Sequence, residues 1–199
     1  MALMLGACKT AQQCAQQPPI GNCGSFVNST ADDFGPRTFG GNLLITSHRE
    51  IRESESVRVP SSATDVVYEC SRMDDGGFTP AVLCNVLPPF AWEGGTPALW
   101  RESDTVIVAI FTMTQGRGRS TQTDLYTSTL RNSVWSTPSR MESCSSPSWE
   151  SQPFVSKDGT MLLFASDRPG GAGGIDIYLS SRDAEGWSAP RNAGSSVNT

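Results

Sequence analysis

Histidine is almost missing from this chain: His48 is the only one in 199 residues, and no Cys-x-x-Cys pair occurs. A zinc centre is therefore left without its usual ligands, and a Ser-His-Asp triad could draw only on His48. No stretch approaches about 18 consecutive apolar residues, so no segment is long enough to cross a bilayer as a helix. No long run carries apolar residues at helical spacing either, which argues against a helical fold. Basic residues are outnumbered, with 15 Lys and Arg against 20 Asp and Glu for a net charge of −5. Duplex nucleic acid needs clustered cations to displace counterions, and this balance argues against it.

What remains is typical of a soluble β-rich domain: 37% apolar residues, 18% charged, 19 Gly and 13 Pro. Its most informative feature is internal repetition. Asp176, Tyr178, Trp187 and Pro190 follow Asp124, Tyr126, Trp135 and Pro138 at a constant spacing of 52 positions. Periods of this length, built from short strands and Gly-rich turns, indicate stacked β units such as propeller blades. Within the last unit, Pro153–Ser166 reads strand, turn, strand, with Asp158 and Gly159 supplying the tight turn. Pro169 and the glycines of 170–174 must form a loop, and 175–180 alternates as a third strand. A fourth strand falls around Trp187. In the preceding unit, 96–141, Val106–Phe111 is the buried strand and 115–119 replaces the Pro-Gly-Gly loop. A degenerate unit spans about 34–89, where Leu43–Arg49 lies 119 positions before Leu162–Arg168 and Asp65–Tyr68 stands in for Asp-x-Tyr.

The combination of Ser156–Gly159, Ser166–Gly171, Asp176–Tyr178 and Trp187–Pro190, followed by Val197–Thr199, resembles the WD40-like repeat of TolB and OmpA-associated envelope proteins. The resemblance implies an all-β fold, a partial propeller of about three four-stranded antiparallel blades at 34–89, 96–141 and 149–199. A ring needs about four to eight blades, so the chain reads as a fragment of a larger propeller. The N-terminus resembles a bacterial lipobox: Leu5, Gly6 and Ala7 precede Cys8, the residue that would be acylated. Residues 1–8 then form a truncated lipoprotein signal and 9–27 a polar tether, and Lys9 in place of Asp favours the outer membrane.

Five further cysteines remain, and for an exported chain Cys14 with Cys23 and Cys70 with Cys84 are the pairs nearest in sequence, leaving Cys144 over. Candidate chemistry elsewhere has simpler explanations. Gly170–Gly174 leads into a strand rather than a helix, unlike a phosphate cradle. Ser156-x-Asp158-Gly159 brushes against the Asp-box of sialidases but lacks the aromatic residue that should follow, and a β-turn explains it. Asp124 and Asp176 read as structural carboxylates, Tyr126, Tyr178, Trp135 and Trp187 as packing residues, His48 as a loop residue, and Arg117 with Arg119 as a solvated basic turn.

The expectation is therefore a non-catalytic cell-envelope lipoprotein with no cofactor and no metal. Its propeller would present loops to envelope proteins or to peptidoglycan and other glycans. The rival is the propeller domain of a prolyl oligopeptidase-type peptidase or another hydrolase, whose catalytic part lies elsewhere. A glycosidase propeller would need paired carboxylates converging in a central channel.

Overall fold

A computed structural model describes residues 22–49, 66–84, 87, 93–115 and 122–199. The described residues contain strands and turns and no helix. Three antiparallel sheets follow one another along the chain. Sheet 1 holds β1 (Asp33–Phe39), β2 (Asn42–Ser47), β3 (Val66–Cys70) and β4 (Val82–Leu83), in that spatial order. Sheet 2 holds β5 (Glu93–Ser103), β6 (Val106–Gln115), β7 (Gln122–Arg131), β8 (Val134–Trp135) and β9 (Ser139–Arg140). Sheet 3 holds β10 (Glu150–Val155), β11 (Met161–Ser166), β12 (Asp176–Asp183), β13 (Gly186–Trp187) and β14 (Arg191–Asn192).

The extra strands do not widen the sheets. Val134 and Trp135 pair with Arg131 and Leu130, whereas Ser139 and Arg140 pair with Thr127 and Tyr126, so β8 and β9 lie end to end along β7. Strands β13 and β14 divide the edge of β12 in the same way. Each sheet is a meander four strands across, in which strands consecutive in the chain lie side by side and pair antiparallel. The turn chemistry is local. Asn132 and Ser133 both take positive φ, 49° and 63°, as a two-residue hairpin of the right-twisted kind requires. Gly159, at φ 71°, closes the β10–β11 hairpin, and a side chain there would collide with the Trp100 indole as well.

All three first strands carry the same irregularity. Register slips between Phe34 and Arg37 in β1, between Glu93 and Ala98 in β5, and between Ser151 and Phe154 in β10. A left-handed residue sits in each slip: Gly35 at φ 61°, Gly95 at 94° and Gln152 at 54°. Bulges of this kind bend a strand and re-aim its side chains. Gly35 also comes so close to sheet 2 that a Cβ would lie 2.8 Å from the Thr96 hydroxyl.

The sheets pack face to face. Leu44 and Val67 of sheet 1 meet sheet 2 through Leu99, which also touches Ala109, Phe111 and Tyr126. The opposite face of sheet 2, with Val108, Ile110 and Leu125, meets Leu162, Phe164 and Tyr178 of sheet 3. One hydroxyl pair bridges each junction at corresponding positions: Thr46 with Thr96 at 2.6 Å and Thr112 with Ser151 at 3.1 Å. Complete burial of a side chain such as Phe164 stabilises by about 1.5–3 kcal/mol, and these two interfaces hold most of the large buried residues.

One expectation changes. Cys70 and Cys84 lie on opposite faces of sheet 1: Cys70 clusters with Leu43, Ile45 and Tyr68, Cys84 with Leu44 and Val67. Alternation along the sheet points them apart, so closeness in sequence does not become a disulfide. In the strand Met161–Ala165, Leu162, Phe164 and Ala165 are buried and Met161 and Leu163 are half-buried. Cys144 is free and fully buried, and burial pushes its thiol pKa up.

Candidate functional site

The repeated residues occupy matching places in sheets 2 and 3. Tyr126 faces Arg140 across the β7–β9 pair and Tyr178 faces Asn192 across β12–β14. Asp124 accepts two bonds from Arg140, Nε at 3.0 Å and Nη2 at 2.8 Å. Asp176 accepts from the Ala172 and Gly173 backbone N–H groups and from Asn192 Nδ2 at 2.9 Å. Burial raises the Asp176 pKa, but these bonds outweigh it and hold the carboxyl below its ordinary value. Each carboxylate thus fixes a turn to the outer edge of its own sheet. Trp135 packs on the Ala109–Phe111–Tyr126 cluster of its own sheet, and Trp187 stands edge-on to Trp100 of sheet 2 with ring centroids 6.3 Å apart. Asp158 is bonded to Ser156 and Thr160 within its own turn. His48 is a partly exposed loop residue 3.6 Å from Asp32. Cys8, Cys14, Arg117 and Arg119 lie outside the described residues.

A second repeated assembly has no counterpart among the predicted residues. In sheet 3, Glu150 is fully buried and receives Ser166 Oγ at 3.0 Å, Arg168 Nη2 at 3.1 Å and the Ser146 backbone N–H at 3.0 Å. Arg168 also donates to the Cys144 carbonyl at 2.7 Å, and its guanidinium lies 4.8 Å from the Tyr178 ring centroid. Sheet 1 builds the same cradle from different residues. Asp33 receives Arg49 Nη2 at 2.7 Å and the Ser29 N–H at 2.6 Å; Arg49 donates to the Val27 carbonyl at 2.8 Å and lies 4.5 Å from Tyr68. Burial opposes ionisation of Asp33, but bonds from Ser47, Ser29 and Arg49 prevail and hold its pKa at about 2.

Into each cradle a turn inserts an apolar plug. The N–H groups of Val27 and Asn28 bond to the Gly24 carbonyl, those of Cys144 and Ser145 to Met141, and those of Val197 and Asn198 to Gly194. The signal for this was present in the sequence: Asn22-Cys-Gly-Ser-Phe-Val-Asn28 returns as Asn192-Ala-Gly-Ser-Ser-Val-Asn198, 170 positions later. Even the side chains agree, with Asn28 Nδ2 on Asn22 Oδ1 and Asn198 Nδ2 on Asn192 Oδ1, both at 2.8 Å. Residue 27, the last of the expected tether, is therefore 3% exposed and part of the sheet 1 core.

A concavity lies where the bulged first strands β1, β5 and β10 approach one another, with a volume of about 970 Å³. Arg37, Arg72, Arg101 and Lys157 line it together with Phe39 and Phe154. The bulge in β1 carries Arg37 across to sheet 3, where Nη2 donates to the Pro153 carbonyl at 2.7 Å and the guanidinium lies 5.0 Å from the Phe154 ring centroid. Its Nε is buried with no acceptor, and burial pushes the Arg37 pKa below its ordinary value. Arg101 lies 5.6 Å from the Phe39 ring centroid. Sequence reading missed this site because its cations are scattered over 120 residues and meet only through the bulges. Among the described residues no group of His, Cys, Asp and Glu is placed to hold a metal ion.

No protein family's profile matches the chain, and no curated protein matches it in sequence.

Proposed function

We propose that the three sheets are successive blades of a β-propeller resembling the WD40-like repeats of TolB and OmpA-associated proteins, and that the module is a non-catalytic scaffold for partner binding in a bacterial cell envelope. The observation that carries this reading is the shared plug and cradle: the end of one unit inserts Val27 or Cys144 beneath the Tyr face of the next sheet, with the same bonds to a carboxylate and an arginine. A joint shared by sheets 1 and 3, with first strands β1, β5 and β10 drawn to one side, supports radial rather than linear stacking. Acylation of Cys8 would tether the scaffold to the outer membrane; more than one acyl chain is needed for stable anchoring.

Spin-label distances test the radial arrangement. Nitroxides coupled to unnatural residues at Asp74, Val134 and Ala184, in or beside the third-to-fourth-strand connections, report sheets 1, 2 and 3 in turn. A propeller gives matching 74–134 and 134–184 distances and a 74–184 distance clearly below their sum. A 74–184 distance equal to the sum describes a linear stack and ends the proposal. The anchor is checked by the intact mass of membrane-extracted protein, which should begin at an acylated Cys8. An unmodified Met1 with a free Cys8 would remove the lipoprotein assignment.

A further inference from the structure

We infer that the groove lined by β1, β5 and β10 is a binding site for an acidic peptide segment with apolar side chains, presented by another protein. The inference rests on reading the module as a scaffold for protein contacts, and it adds the chemistry of the partner.

Charge is the first argument. In a chain of net charge −5, four cations converge on one concavity whose described lining includes no Asp, Glu, Asn or Gln. Four arginines elsewhere are paired with carboxylates: Arg49 with Asp33, Arg140 with Asp124 and Glu142, Arg168 with Glu150, Arg182 with Glu102. Arg37, Arg72, Arg101 and Lys157 have no such partner among the described residues. Clustering like charges without counter-charges is unfavourable by itself, and a concave site focuses the resulting field on an incoming anion.

Desolvation is the second. Arg37 is half-buried, its Nη2 is held by the Pro153 carbonyl and its Nε has no acceptor, so part of its hydration is already lost and its guanidinium is set in place before a ligand arrives. Arginine presents a fork of donors suited to a carboxylate, and both Arg37 and Arg101 are steadied by an aromatic ring beneath them.

The wall supplies the third. Phe39, Leu99 and Phe154 give apolar surface beside the cations, which suits a chain that places Leu or Phe next to Asp or Glu. A neutral glycan needs carboxylate and carboxamide partners for its hydroxyls, and the described lining offers none. A volume of about 970 Å³ is at the upper end for ligand pockets, about 300–1,000 Å³, and leaves room for several residues of an extended peptide.

Fluorescence anisotropy with three labelled probes tests the assignment on the full chain: an alternating Leu-Glu octapeptide, its Leu-Lys counterpart and an oligogalacturonate. The Leu-Glu peptide should bind, the Leu-Lys peptide should not, and oligogalacturonate should bind more weakly than Leu-Glu. Arg101→Glu combined with Lys157→Glu should weaken the Leu-Glu complex roughly tenfold, as should raising NaCl from about 0.05 to about 0.5 M. Arg72→Glu, on a different sheet, should weaken it a few-fold and serves if the double variant loses its β-sheet circular dichroism. No Leu-Glu binding, affinity unchanged in the variants, or a preference for oligogalacturonate overturns the inference. Any of these results alongside spin-label distances that describe an arc leaves the scaffold reading intact. Distances that describe a line reject that reading whatever binds.

Discussion

Sheets 1 and 3 close their Tyr-bearing faces with one device built from different residues, and among the described residues sheet 2, between them, shows no counterpart. In sheets 1 and 3 a buried carboxylate, a Ser-x-Arg at the end of the second strand and a Tyr on the third hold the carbonyl of an incoming plug. Among the described residues, the second strand of sheet 2 ends in Thr114-Gln115 without an arginine, although Tyr126 is in place and Leu87 is buried like Val27 and Cys144. Sheet 2 has sheets on both faces, whereas sheets 1 and 3 lie at the ends of the three. The comparison teaches that the device does not simply make up for a missing neighbour: in sheet 3 it lies on the Tyr178 face that packs against sheet 2, and in sheet 1 on the Tyr68 face turned away from sheet 2.

The largest effects should come from breaking the cradle on one side. Glu150→Ala would strand Arg168 beneath a core in which the carboxylate is fully buried, and about 3–5 kcal/mol of stability should be lost, read as the shift in urea midpoint. Asp33→Ala should cost less, about 1–3 kcal/mol, because Arg49 and Asp33 keep side-chain exposures of 19% and 11% and water can reach the orphaned charge. Equal losses would mean that the two cradles are energetically alike despite their different burial. The plugs provide a matched pair next. Val27→Ala removes a residue 3% exposed and should cost about 1–3 kcal/mol, whereas Val197→Ala, at 59% exposure, should stay within about 0.5 kcal/mol of the parent. A large loss at Val197 would break the comparison, since its turn has the same internal hydrogen bonds as that of Val27.

Much of sheets 2 and 3 was legible in the sequence because their repeat is carried by rare, large residues. Tyr126 and Tyr178, Trp135 and Trp187 stand out at constant spacing, and their strand pairings match, Leu130 with Trp135 and Arg182 with Trp187. Sheet 1 was legible only through Leu43–Arg49, since Asp33 replaces Glu150, Val27 replaces Cys144, and the segment between its second and third strands is longer. Physical equivalence there rests on carboxylate chemistry and a carbonyl position, which tolerate exchange of residue type. The plug repeat, Asn22–Asn28 with Asn192–Asn198, was readable but consists of small polar residues that blend into turns. The groove was not readable, because the convergence of Arg37, Arg72, Arg101 and Lys157 depends on strand bulges at Gly35, Gly95 and Gln152 that no local pattern marks.

A smaller effect should separate sheets 2 and 3 at their outer edges. Arg140 and Asn192 occupy one position and serve one carboxylate each, Asp124 and Asp176. Arg140→Asn should therefore cost less than Arg140→Ala, by about 0.5–1.5 kcal/mol in thermal or urea unfolding, because the shorter amide can copy the sheet 3 bond. If both substitutions cost the same, the guanidinium's fork on Asp124 is what matters and the two edges are not interchangeable.

The smallest effect is confined to acid pH and tests whether the sheet 1 cradle depends on ionised Asp33. Its folded pKa of about 2 lies below the ordinary 3.8, so the folded state holds the carboxylate more tightly than the unfolded chain does. The resulting stabilisation is complete above about pH 4 and declines as pH falls from there through about 2. Asp33→Asn should lower the melting temperature at pH 6, and the gap between variant and parent should narrow steadily between pH 4 and pH 2. Narrowing must come from the parent losing stability, not from the variant gaining it, since Asn does not titrate. A gap that stays constant across that interval would show that Arg49 and Ser29 engage the neutral acid as well as the carboxylate, and would reduce the sheet 1 cradle to a set of ordinary hydrogen bonds.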